Sequence, residues 1–82
     1  MTEDEALDLL TLALHEVAPE ADFAHADPDG PLQEEFELDS IDFLGVVEAV
    51  RDRTGIDIPD RDFPSLSTAH SFATYVAARS GP

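Results

Sequence analysis

The sequence predicts an all-α fold with three main helices, a short extra helix and a long first loop. Three observations carry that prediction. Apolar residues recur at three- and four-residue intervals in three separate segments. Each of those segments starts beside a hydroxyl or carboxylate side chain suited to capping a helix. No run alternates apolar and polar residues for long enough to make a sheet strand. At 82 residues the chain reads as one small domain over residues 1–82, near the size at which a single core just outweighs chain entropy.

Taken in order, Thr2-Glu3-Asp4-Glu5 has the form of a capping box, a hydroxyl followed three residues later by a carboxylate. Leu7, Leu10, Leu14 and Val17 follow at helical spacing, with Ala6 and Ala13 beside them, until Pro19 closes the pattern. The first helix is expected at about residues 3–17. Residues 18–39 contain Pro19, Pro28, Gly30 and Pro31 and read as loop. Phe23, Leu32, Phe36 and Leu38 should pin that loop to the body of the fold. Asp39 or Ser40 caps a second helix at about residues 40–53, whose core stripe is Phe43, Val46, Val47 and Val50, with Gly55 as its stop. Ile56-Asp57-Ile58-Pro59 is an extended connector. A short helical turn at about residues 60–64 ends at Pro64, and Ser67 caps a last helix at about residues 68–79. Ala69, Phe72, Ala73, Tyr75 and Val76 should face inward there, Arg79 suits its dipole, and Ser80-Gly81-Pro82 should fray.

Composition narrows function. Nineteen acidic residues against 4 basic ones give a formal charge of −15. Such a field repels nucleic-acid phosphates and anionic lipid, and it favours brief, salt-sensitive encounters with basic protein surfaces. There is no cysteine, so neither a disulfide, a thiol nucleophile nor a thiolate metal site can be built. The acidic N-terminus is unlike a secretory signal, and no apolar run approaches membrane-spanning length. A cytoplasmic, monomeric protein is expected.

Three constellations could carry chemistry. Ser40 lies between carboxylates in Phe36-Glu37-Leu38-Asp39-Ser40-Ile41-Asp42, but a serine nucleophile needs a base in reach. His15, His25 and His70 stand in no catalytic pattern, and the glycine-flanked nucleophile elbow is absent. No catalytic residue is assigned. Asp27-Pro28-Asp29-Gly30 tempts a calcium reading, yet with Gly30 at the sixth position of an EF-hand loop the first falls on His25 and the twelfth on Phe36. A solvated turn fits better, and no metal site is expected. The third is Ser40 at a helix start, where its hydroxyl should be exposed and the helix dipole attracts anions. By local chemistry alone Ser40 reads as a helix cap before anything functional.

Three segments together say more. Leu38-Asp39-Ser40-Ile41-Asp42 is followed by Gly55-Ile56-Asp57-Ile58-Pro59-Asp60 and then by Leu66-Ser67-Thr68-Ala69. In these, in their order and separation, the chain resembles the acyl carrier proteins of fatty acid and polyketide synthesis. The first segment is similar to that family's Asp-Ser-Leu attachment motif, with isoleucine for leucine. The resemblance implies a four-helix bundle with a short third helix and no catalytic activity. It implies 4′-phosphopantetheine on Ser40, transferred from coenzyme A by a phosphopantetheinyl transferase with magnesium. The arm's thiol would hold acyl groups as thioesters and deliver them between loading, condensing or transferring enzymes with basic docking surfaces.

The same resemblance gives the second helix a docking role. Ile41 and Leu44 offer apolar contacts beside Ser40, while Asp39, Asp42, Glu48 and Asp52 meet lysine or arginine on a partner; the bland alternative is a solvated helix face. Glu37 stands where many members have glycine, Gly45 where an acidic residue is common, and Arg51 adds a positive charge to the same side. Those departures suggest a dedicated, freestanding carrier. A peptidyl, aminoacyl or D-alanyl carrier is the alternative within this class, and a helical interaction module without a prosthetic group lies outside it. Valines in the second helix could leave a cleft for an acyl chain, or Phe43, Phe63 and Phe72 could fill it.

Overall fold

Thr2 and Glu5 start the first helix by satisfying each other. In the computed structural model, which describes residues 1–80, the Thr2 hydroxyl accepts the Glu5 N–H at 3.1 Å and the Glu5 carboxylate accepts the Thr2 N–H at 2.9 Å. Those bonds, the one from the Thr2 backbone foremost, hold the Glu5 carboxyl below its ordinary pKa. Helix α1 runs Glu3–Val17 and buries Ala6, Leu10, Ala13 and Leu14. Leu7, expected in that stripe, is instead 37% exposed. α1 packs against both α3 (Ser40–Thr54) and α4 (Ala69–Arg79), and its fully buried positions are Ala6, Leu10 and Ala13, with Leu7 at the edge of that face.

The long connection is pinned by its apolar residues. Leu32, Phe36 and Leu38 are buried, and Phe23 stacks between His15 and Phe36 at ring separations of 3.9 and 5.2 Å. It is not all loop: a four-residue helix, α2, spans Leu32–Glu35. So short an element shows no periodicity to read, and it depends on tertiary contacts. The Leu32 N–H donates to the Ser67 carbonyl at 2.7 Å, and Pro31 pairs with Thr68 as an isolated bridge.

Helix α3 covers Ser40–Thr54, and Gly55 ends it in the left-handed conformation at φ 72. Val46, Val47 and Val50 are buried, whereas Phe43 is half-buried. The connector sinks Ile58 into the core, and a 3-10 helix then runs Asp60–Leu66. It continues through Pro64, where the sequence suggests a stop, because the fixed φ of proline lies within the 3-10 range.

Helix α4 spans Ala69–Arg79 and is capped by Thr68, one residue later than Ser67: the Thr68 hydroxyl accepts the Ser71 N–H at 2.9 Å. The Ser67 carbonyl is left to hold Leu32. Ala69, Phe72, Ala73 and Val76 are buried, and Tyr75 is half-buried. Arg79 turns to Asp62 at 3.3 Å and lies over the Tyr75 ring. At the expected frayed end, Ser80 closes α4 by donating its N–H to the Val76 carbonyl at 3.0 Å, and Gly81 and Pro82 lie outside the described residues. The result is an all-helical bundle of α1, α3 and α4 with the 3-10 helix as its short member. Among the described residues no helix is long and apolar enough to cross a membrane.

Candidate functional site

Phe36 to Asp42 build the site. Helix α2 ends in a Schellman turn: the Leu38 N–H reaches the Gln33 carbonyl at 2.8 Å and the Glu37 N–H the Glu34 carbonyl at 3.4 Å. Such a turn needs a left-handed residue, and here that residue is Glu37 at φ 54. This is why glycine suits the position and why the glutamate is strained there. Leu38 then drops into the core, and Asp39 opens α3.

Asp39, not Ser40, is the cap. Its carboxylate accepts the Asp42 N–H at 2.7 Å, and the Asp42 carboxylate accepts the Asp39 N–H at 3.4 Å. Ser40 is the first helical residue, exposed, and its hydroxyl has no hydrogen-bond partner among the described residues. None of the histidines is placed as its base. His15 stacks on Phe23, His25 bonds Asp22 at 2.7 Å, and His70 bonds Asp29 at 3.1 Å. Asp27, Asp29 and Gly30 form a turn in which the Asp27 side chain accepts the Asp29 N–H at 2.9 Å and its carbonyl the Gly30 N–H at 3.1 Å.

Beside Ser40 lies an open, mainly apolar groove of about 510 Å³. Ser40, Phe43 and Leu44 form its α3 side, Pro31, Leu32 and Gln33 a second wall, and Phe63, Pro64 and Ser67 a third. Nothing local in the sequence places Pro31 or Pro64 next to Ser40; long-range packing brings them there.

A family model for the phosphopantetheine attachment site matches residues 4–76 of this chain. The chain is also similar to an acyl carrier protein of Streptomyces coelicolor, 31% identical over 74 residues, covering 90% of this chain and 76% of the relative. The chain belongs to the acyl carrier protein family. Members are carriers and not catalysts, and their cofactor is phosphopantetheine. The exposed Ser40 hydroxyl at the head of α3 leaves room for such a group, because the groove side is open and no hydrogen bond of that hydroxyl must break.

The residues expected to dock partners lie on α3 or at its cap. Ile41 is 78% and Leu44 45% exposed, and Asp39, Glu48, Arg51 and Asp52 are exposed too. Ile41, Leu44, Glu48, Arg51 and Asp52 are spaced to share one side of the helix. Asp42 is half-buried and occupied by the cap. Gly45 is a correction: a side chain there would point at Val17 of α1, its Cβ 3.4 Å from the valine methyl. It belongs to the α1–α3 packing and not to the outer face, because the helix rotates it a quarter turn from Leu44.

Proposed function

We propose that Ser40 is the attachment residue and that the chain shuttles acyl groups between enzymes of fatty acid, polyketide or related specialised biosynthesis. The supporting observation is the division of labour at the head of α3: Asp39 caps, which leaves the Ser40 hydroxyl exposed and unbonded. In the loading step the Ser40 oxygen bonds to the phosphorus of the pantetheine half of coenzyme A. The pyrophosphate bond breaks, the nucleotide half leaves, and the serine proton passes to a base of the transferase. Once attached, the arm supplies the thiol that this cysteine-free chain lacks.

Around Ser40 the chain's own groups orient the visit. Ile41 and Leu44 give a partner apolar contact at the attachment point, the exposed Asp39, Glu48 and Asp52 face its cations, and Asp42 adds its charge from within the cap. Each exposed ion pair contributes about 0–1 kcal/mol, which suits short encounters. Glu37 and Arg51 set this surface apart and favour a dedicated, cytoplasmic, monomeric carrier. Exchange with a general fatty acid synthase as efficient as that of its usual carrier would refute the dedicated role.

Incubation with coenzyme A, magnesium and a broad-specificity phosphopantetheinyl transferase tests the attachment. Intact mass should gain one phosphopantetheine, and Ser40→Ala should gain none. An unmodified wild type, or a modified Ser40→Ala, sinks the assignment.

A further inference from the structure

Two aromatic rings line the groove beside Ser40. Phe43 of α3 and Phe63 of the 3-10 helix meet edge to face, with centroids 5.7 Å apart and planes at 79°. The next inward residues of α3, Val46 and Val47, are at most 2% exposed and do not line the groove. Leu66, at the end of the 3-10 helix, is fully buried and also outside the lining. Of the core, only the edge at Leu32 reaches the groove among the described residues, while Val46, Val47 and Leu66 behind the rings do not line it.

The ring on the 3-10 helix is also held from behind. Asp62, the residue before Phe63, accepts a hydrogen bond from the Tyr75 hydroxyl at 2.6 Å. Arg79 reaches the same carboxylate oxygen at 3.3 Å, and its guanidinium sits 4.4 Å from the centre of the Tyr75 ring. These contacts tie the 3-10 helix to α4 and resist the outward shift that would part the rings.

We propose that Phe43 and Phe63 form a closed gate between the Ser40 groove and the core, latched by Asp62, Tyr75 and Arg79. The cargo is then a short acyl group that stays in the groove, with its thioester open to water and to partners. This rests on Ser40 being the attachment residue. Longer saturated chains, if loaded, remain outside the core and add nothing to its stability.

The test uses the full chain loaded at Ser40 by the transferase from acyl-coenzyme A thioesters, with saturated acyl groups from acetyl to decanoyl. Melting temperature and the rate of thioester cleavage by hydroxylamine are read for each. In the native protein both should be independent of chain length. In Phe63→Ala, each methylene that enters the core should raise the melting temperature by about 3–6 °C, and cleavage should slow with length. Tyr75→Phe keeps both gate rings and removes only the bond to Asp62, so it should show a smaller rise of the same sign. If Phe63→Ala does not fold, Tyr75→Phe carries the comparison alone.

A native protein that is stabilised and protected with increasing length overturns the gate, as does a flat response in both variants. Failure to load Ser40 appears in the intact mass before any melting. That result overturns the attachment reading and the gate with it, and so is distinguishable from failure of the gate alone.

Discussion

Asp39 and Asp42 cap each other across the first turn of α3, at 2.7 and 3.4 Å, with Ser40 between them taking no part. The energetic consequence is a separation of roles. Asp39→Ala should destabilise the fold by about 1 kcal/mol, a fall in melting temperature of roughly 4–8 °C, while Asp39→Asn retains most of the cap. Ser40→Ala should stay within about 0.5 kcal/mol of the native protein, because no bond is lost. Urea titration checks all three. A Ser40→Ala loss as large as that of Asp39→Ala would restore serine to the capping role.

Glu37 offers a second test of the same turn. At φ 54 a glutamate sits where the backbone favours glycine, so Glu37→Gly should stabilise the protein by about 1 kcal/mol despite the added freedom of the unfolded chain. Glu37→Ala retains a Cβ at that φ and should bring no such gain. Equal stability of the glycine and alanine variants would remove the strain argument.

The main helices are legible in the sequence because apolar periodicity and capping side chains are local signals. The exposure of Ser40 at the head of α3 is legible too, because it follows from where the apolar pattern begins. What escapes is what depends on distant packing. Leu7 stands at the edge of the α1 face that α3 and α4 cover, which helical spacing alone does not reveal. Helix α2 is only four residues long, and Pro31 and Pro64 reach the groove from opposite ends of the chain's middle. Gly45 is the instructive case, since its spacing from Ile41 suggests the outer face and only the approach of Val17 shows that it faces α1. A methyl group there makes ordinary contact with Val17, so Gly45→Ala should gain about 0.5–1 kcal/mol from reduced backbone entropy in the unfolded chain. Destabilisation in thermal melts would mean that Val17 cannot accommodate the methyl.

Tyr75 is the chain's one tyrosine, and with no tryptophan present an ultraviolet titration reports on it alone. Burial first, and then the hydrogen bond to Asp62, raise its pKa above the ordinary tyrosine value, while Arg79 pulls the other way. The neutral phenol is thus favoured by folding. Its stabilisation is fully present below the unfolded pKa of about 10 and is lost as pH rises through the higher folded value. Asp62→Asn should move the absorbance midpoint down part of the way, since burial persists, and Arg79→Ala should move it up. Shifts in the same direction for both variants would contradict the arrangement around the phenol.

The charge of −15 is confined to a body of 32 × 23 × 20 Å. Only four arginines offset it; Arg53 pairs with Glu16 and Arg79 with Asp62. At about 0.01 M salt the Debye length of roughly 30 Å spans the molecule, so the carboxylates repel one another across it. At about 0.15 M it falls to roughly 8 Å, and only near neighbours interact. Added sodium chloride should therefore raise the melting temperature steeply over this range and then level off. Divalent cations should act at lower concentration, through stronger screening by their charge. A rise that continues without bend into molar salt would instead indicate exclusion of the salt from the protein surface, and a flat curve would show that repulsion does not limit the stability of this fold.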